Sequence, residues 1–218
     1  CEKPLSYVLD ETEKIINLCK KNKTELFINF PRRLEKSVNK IKTEITEASF
    51  IKGAVWYSNG LLNNGIHFID LMAHLFGKAK TIDFLQLNYK YTDLRNDFDA
   101  DFKISYEKGD IYFLSWKEEL FSHYKIEILS NKSRYILDNN GFQSKLNKVV
   151  PDPNYSGYMC LSPKEEEIQN NLDNSIKLVY NDILKYLEKN NEMSLLNNLH
   201  IIKEVHNTVD ELKKTIYG

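Results

Sequence analysis

The chain has 218 residues, 42% hydrophobic and 28% charged, the balance of a globular protein of one large or two small domains that can bury a real core. Its 30 basic and 31 acidic side chains leave a formal charge of −1 with no long single-sign run, which argues against a nucleic-acid groove or an anionic membrane surface as partner. No apolar stretch approaches the roughly 20 residues of a membrane span, and Cys1, Cys19 and Cys160, odd in number and without metal-ligand spacing, point to reduced thiols in a cytoplasmic protein.

Apolar residues at helical spacing predict a first helix over 5–23, with Ser6 as its cap. The run TELFINF (24–30) predicts a strand ending at Pro31, and Leu34, Val38, Ile41 and Ile45 predict a helix over 34–45. EASFIKGAVWYSNG (47–60) predicts a strand closed by the turn Ser58-Asn59-Gly60, followed by a helix that stops at Gly77. From 81 to about 147 six strand patterns follow one another, 81–91, 97–107, 110–120, 123–131, 133–140 and 142–149, and predict an antiparallel meander. Residues 149–167 form a loop punctuated by Pro and Gly, and two helices close the chain over 165–189 and 194–217, the second capped by Ser194. The fold class is therefore α+β: a largely antiparallel open sheet with helices on one face and the other face available for a homodimer or homotetramer. No G-x-G-x-x-G turn and no Walker-type loop is present, so the chain carries no phosphate cradle of its own.

Within the helix after Gly60, Asn63, His67, Asp70 and His74 fall on one face at about 100° per residue, beside the apolar Leu62, Ile66, Ile69 and Ala73. Such a polar stripe needs a partner. Asp70 and His74 read as structural residues, Asp70 orienting His67 or capping a strand. A metal held by His67, Asp70 and His74 is the weaker alternative, because the spacing is not that of H-E-x-x-H. No thiol catalysis is expected of Cys19 or Cys160.

EKPLS at residues 2–6, NFPRR at 29–33 and GLLNNGIHFIDLMAHLFG at 60–77 occur in the order and spacing of the carboxyl-terminal part of the glucose-fructose oxidoreductase, inositol dehydrogenase and rhizopine-catabolism (Gfo/Idh/MocA) family, and SLLNNLHIIKEVHNTVDELKK resembles its closing helix. The likeness covers nearly the whole chain. It implies an oxidoreductase using NAD or NADP on a sugar, nucleotide-sugar or cyclitol. Residues 1–4 would then end a dinucleotide-binding domain not included here, and 5–218 would be the substrate-binding and oligomerisation domain. Carried over residue by residue, the resemblance gives Lys3 and His67 as catalytic groups, with Asn63 standing where many members have Asp. Glu2, Lys3 and Pro4 would touch the cofactor, and Arg33, Tyr57 and Asn64 would bind substrate. The alternative is a non-catalytic dimerisation or sugar-binding domain.

The chemistry fits those residue types. Oxidising a secondary alcohol removes its hydroxyl proton as hydride leaves carbon, work suited to a neutral imidazole, and an ammonium group stabilises the developing alkoxide. Asn63 cannot supply the negative charge that favours an imidazolium, so His67 is expected to be a less supported base than in relatives with Asp. Gly65, costly inside a helix, suggests a close backbone approach.

Overall fold

A computed structural model of the chain describes residues 1–91, 97–117, 121–170, 172–188, 194, 196 and 198–218. Five α-helices are described: α1 (Leu9–Lys21), α2 (Lys36–Thr46), α3 (Ile66–Phe76), α4 (Ser175–Glu188) and α5 (Leu199–Tyr217). The strands described are β1 (Ile51–Ser58), β2 (Thr81–Lys90), β3 (Phe98–Tyr106), β4 (Gly109–Trp116), β5 (Lys125–Ser130), β6 (Ser133–Asp138), β7 (Gln143–Pro151), β8 (Met159–Leu161) and β9 (Glu166–Ile168). They make one sheet in the order β2-β3-β4-β1-β5-β6-β7-β8, with β9 also on β7.

The expected α+β class holds, with a largely antiparallel sheet. The simple meander does not: β1 inserts between β4 and β5, parallel to β4 and antiparallel to β5. The chain leaves β1 through α3 and returns by way of β2 and β3, and that crossover makes the β1–β4 pair parallel. One sheet face carries Val55, Tyr57, Phe98, Ala100, Phe102, Ile104, Ile111, Phe113, Ile126 and Ile128 into the core. Phe102 and Phe113, opposite each other across β3 and β4, stack with ring centroids 4.5 Å apart. Against this face lies α3, buried along nearly its whole length, with α5 packed on both α3 and β2 and α1 packed on α5.

Several local expectations are corrected. Residues 24–30 form no strand and pair with short pieces of chain: the Cys1 nitrogen donates to the Phe27 carbonyl at 2.8 Å, the Ile28 amide to the Leu196 carbonyl at 3.3 Å and the Asn29 amide to the Cys1 carbonyl at 2.9 Å. Helix α1 starts at Leu9 with Val8 at its cap position, and Ser6 instead accepts from the Val8 amide at 3.0 Å. The first helix expected near the end of the chain begins only at Ser175, since 166–168 are taken into the sheet as β9. Asn198, rather than Ser194, caps α5, accepting from the Ile201 amide at 3.2 Å. The ends of the expected segments at 118–120 and 189, and positions 195 and 197, lie outside the described residues. No described helix is long and apolar enough to cross a membrane.

Candidate functional site

The helix bearing His67 opens irregularly. Gly60, at φ +93°, offers its carbonyl to both the Asn64 amide (3.0 Å) and the Gly65 amide (3.1 Å), so residues Leu61–Gly65 wind as a π turn before α3 begins at Ile66. A π turn holds more residues than an α turn, and such insertions recur at functional sites. It breaks the single polar stripe expected from regular spacing. Asn63 is exposed and donates its side-chain amide to the Asn59 carbonyl at 3.2 Å, His67 is half-buried, and Asp70 and His74 are buried. Gly65 meets the expected close approach: a Cβ there would lie 2.8 Å from Leu61 Cδ1 and 3.1 Å from the Tyr57 ring.

The partner of the buried half of the stripe is Arg33. Pro31 starts a 3₁₀ turn over Pro31–Leu34, whose tight three-residue period separates the two arginines. Arg33 Nε donates to Asp70 Oδ2 at 2.8 Å and its Nη2 to Asp70 Oδ1, both side chains being fully buried. Arg32 instead lies over the Phe68 ring, 5.3 Å from its centroid, and 3.4 Å from Glu35 Oε1.

A cavity of about 200 Å³ is lined by Pro31, Arg32, Asn64, His67, Phe68 and Tyr124. His67 packs edge-on to Phe30, centroids 5.9 Å apart at 86°. Burial first, then the charges of Lys3 and Arg32, push the His67 pKa down to about 3, so the ring is neutral throughout the physiological range. Pairing of residues 27–29 with Cys1 brings the opening of the chain to this end of the helix, where Lys3 Nζ donates to the Asn63 carbonyl. Burial pulls the Lys3 pKa below its ordinary value, while the carboxylates of Glu2 and Asp97 oppose that shift.

Lys3, Asn63, Asn64 and His67 are thus brought together, with the Asn63 backbone rather than its side chain turned to Lys3. Glu2 accepts from Asn29 at 2.9 Å and lines a larger cavity of about 510 Å³ that shares Pro31 with the first. Pro4 follows Lys3 across a cis peptide bond. Arg33 and Tyr57 stand apart from the cavity: Arg33 is closed on Asp70, and the buried Tyr57 hydroxyl donates to the Ala100 carbonyl at 2.6 Å and accepts from its amide at 3.0 Å. Sequence reasoning missed Arg32, Phe68 and Tyr124. Two adjacent arginines carry no pattern that says which one faces the cavity, whereas the Pro31 turn could have suggested that they diverge. Among the described residues no cluster of three or more His, Cys, Asp or Glu could hold a metal ion.

No family model matches the chain. Nor does any curated protein. Solved structures do match in fold. A dehydrogenase (MviM) from Clostridium difficile is 16% identical, with 98% of this chain covered and 70% of that one, at a TM-score of 0.71. An oxidoreductase from Agrobacterium radiobacter in complex with NAD+, L-tartaric acid and magnesium is 14% identical, with 96% and 68% covered, at 0.66. KijD10, a 3-ketoreductase from Actinomadura kijaniata in complex with TDP-benzene and NADP, is 12% identical, with 98% and 68% covered, at 0.71. The fold is shared with these dehydrogenases and oxidoreductases over about 70% of their length and is consistent with a C-terminal domain of dehydrogenases. More particularly, these structural neighbours are Gfo/Idh/MocA-type oxidoreductases.

Proposed function

We propose that this chain is the substrate-binding and oligomerisation part of an NAD- or NADP-dependent Gfo/Idh/MocA oxidoreductase that interconverts a secondary alcohol and a ketone on a sugar, nucleotide-sugar or cyclitol. The observation that carries it is the meeting of the Lys3 amine and the His67 helix at the Asn63 carbonyl, across 60 residues of sequence, beside a cavity of sugar-ring size.

A dinucleotide fits this chain only in part. Among the described residues there is no glycine-rich phosphate cradle; the cavity beside His67 holds about 200 Å³, below the 300–1,000 Å³ usual for cofactor pockets, and the one that Glu2 lines holds about 510 Å³, within it. On this reading a dinucleotide-binding domain that ends at residues 1–4 would hold the pyrophosphate, and Glu2, Lys3 and Pro4 would face only the reactive end of the cofactor. When bound, that cofactor supplies hydride acceptance or donation. The neutral His67 ring takes the hydroxyl proton, and the Lys3 ammonium, turned from the Asn63 carbonyl to the substrate oxygen, stabilises alkoxide character. Asn64 and Arg32, on the same cavity wall, hydrogen-bond substrate hydroxyl groups. The exposed sheet face joins subunits into a homodimer or homotetramer.

The test is expression of the complete reading frame that contains this chain, followed by assay of NAD(P)H formation with sugar and cyclitol alcohols. Activity should fall about 10²–10⁴-fold in His67→Gln and Lys3→Met. A complete gene product that binds no NAD(H) or NADP(H) saturably would overturn this proposal and favour a non-catalytic sugar-binding or dimerisation domain.

A further inference from the structure

Asp97 precedes β3 and is 1% exposed. Its Oδ1 accepts from the amides of Leu62 and Phe98, at 2.9 and 2.8 Å, and its Oδ2 from the Asn63 amide at 2.9 Å. Two of these donors belong to the π turn, whose amides have no earlier turn to bond to and carry the positive end of the helix dipole. The fit is close: a Cβ on Gly60 would come within 2.1 Å of Asp97 Oδ2. Lys3 grips the same residue from the other side, at the Asn63 carbonyl.

We infer that Asp97 is a positioning residue for the Lys3 site, its buried carboxylate fixing the Asn63 backbone to which the amine is bonded and supplying there the negative charge that the Asn63 side chain lacks. The inference rests on the proposed role of Lys3 and adds to it a remote residue that the sequence motifs do not contain. An amide at position 97 has the same shape but cannot do this: one of its two ends would point N–H groups at backbone N–H groups, and its charge is zero. Among the described residues the charged and titratable groups around the pair include Glu2 and His67 beside Lys3, Asp99 and Tyr57 beside Asp97, and Lys213 and Tyr217 on α5. Burial works against the Lys3 charge and Asp97 works for it, so removing the carboxylate lowers the Lys3 pKa.

The experiment uses the chain alone. Acetylation of Lys3 by acetic anhydride is followed against pH by peptide mass spectrometry, with the exposed Lys20 as internal reference. In Asp97→Asn the Lys3 titration should move down by about one pH unit, a tenfold rise in unprotonated amine at a given pH. Lys20 should not move, and neither should Lys3 in Asp101→Asn, which removes a carboxylate bonded to Ser115 and Asn88 instead. Asp97→Glu should restore part of the shift. An unmoved Lys3 in folded Asp97→Asn, or an equal shift in Asp101→Asn, overturns the inference. If Asp97→Asn does not fold, the reciprocal variant decides: Lys3→Met, at a half-exposed position, should speed hydrogen exchange of the Asn63 amide severalfold, and unchanged exchange overturns the inference. Neither measurement needs cofactor or turnover, so either can fail while the proposed oxidoreductase function stands, and the reverse.

Discussion

Arg33 closes on Asp70 through two parallel hydrogen bonds in the middle of the protein, tying the 3₁₀ turn after residue 30 to the centre of α3. Both side chains are wholly buried, and the guanidinium also lies 5.3 Å from the centroid of the Phe30 ring. The pair fixes the Pro31–Arg32 wall of the cavity relative to His67, three residues before Asp70 on the same helix.

Removing one member of such a pair leaves a buried charge without a counterion, at a cost of about 3–5 kcal/mol, whereas replacing both by apolar residues is often nearly neutral. Urea unfolding should therefore show Arg33→Met and Asp70→Leu each losing about that much, and the double variant losing less than the sum. Additive losses would mean that the pair does not couple the turn to the helix.

Tyr57 completes a sheet edge with a side chain. The β3–β4 register runs only from Phe102 opposite Phe113 to Tyr106 opposite Gly109, so Ala100 has no partner residue on β4. The Tyr57 hydroxyl both donates to the Ala100 carbonyl and accepts from its amide, and burial holds its proton well above the ordinary tyrosine range. Tyr57→Phe strands both backbone groups. It should cost about 1–3 kcal/mol and speed hydrogen exchange at Ala100, while Tyr112→Phe on the open face should do neither.

Much of this architecture was legible in the sequence, and the misses share a cause. Helix α2 and strands β3 to β7 show themselves through the period of their buried residues and β2 through that of its half-buried ones, which local sequence determines, whereas α3, buried at nearly every position, is marked by the turn at Ser58-Asn59-Gly60 and the stop at Gly77. The place of β1 does not show itself, because a strand's pattern says which face is buried and nothing about its neighbours. By alternation with Phe98 and Ala100, Asp97 and Asp99 read as a face that is wet or paired; they are paired and buried, because amides of Gly60 and of the π turn reach across to them. The same turn moved Asn63 off the stripe. Motif order singles out Lys3, His67 and Asn64, which the fold brings to one end of α3, whereas Tyr124 reaches the same cavity by long-range packing that leaves no local signal.

The open face of the sheet carries Trp56 at 37% exposure, Trp116 at 48% and Leu129 at 45%. Register puts Trp56 opposite Leu114 on β4 and Leu129 opposite Lys52 on β1, so they share the face that the helices leave uncovered. Large apolar side chains gathered on one uncovered sheet face mark an interaction surface. If the face joins subunits as proposed, sedimentation velocity should find the chain self-associated at micromolar concentration. Trp116→Glu should shift it toward monomer without changing its circular dichroism, and a wild-type chain that stays monomeric would remove the sheet as the oligomer interface.

Acid should weaken the fold partly through its histidines, and the sign can be worked out. The His67 pKa is pushed down to about 3 and that of His74 to about 4, each first by burial, then by Lys3 and Arg32 for His67 and by Lys42 and Arg33 for His74. Unfolded histidines titrate near 6.5. Above that value neither state binds the proton and nothing is lost. As pH falls from about 6.5 toward the folded values, only the unfolded state gains protons, and stability drops by up to about 1.4 kcal/mol per pH unit for each histidine. Asp70, raised to about 6, and Glu35 and Asp99, also raised by burial, act in the opposite sense over the same range, because the folded state takes up their protons first. The net slope therefore says little, and the difference between variants is the measurement. Between pH 7 and 5, His67→Gln should lose less stability in urea titrations than wild type, and His67→Gln/His74→Gln less again. A variant that tracks wild type across that range would mean that His67 takes up its proton at the same pH in the folded and unfolded states, and that burial does not depress it.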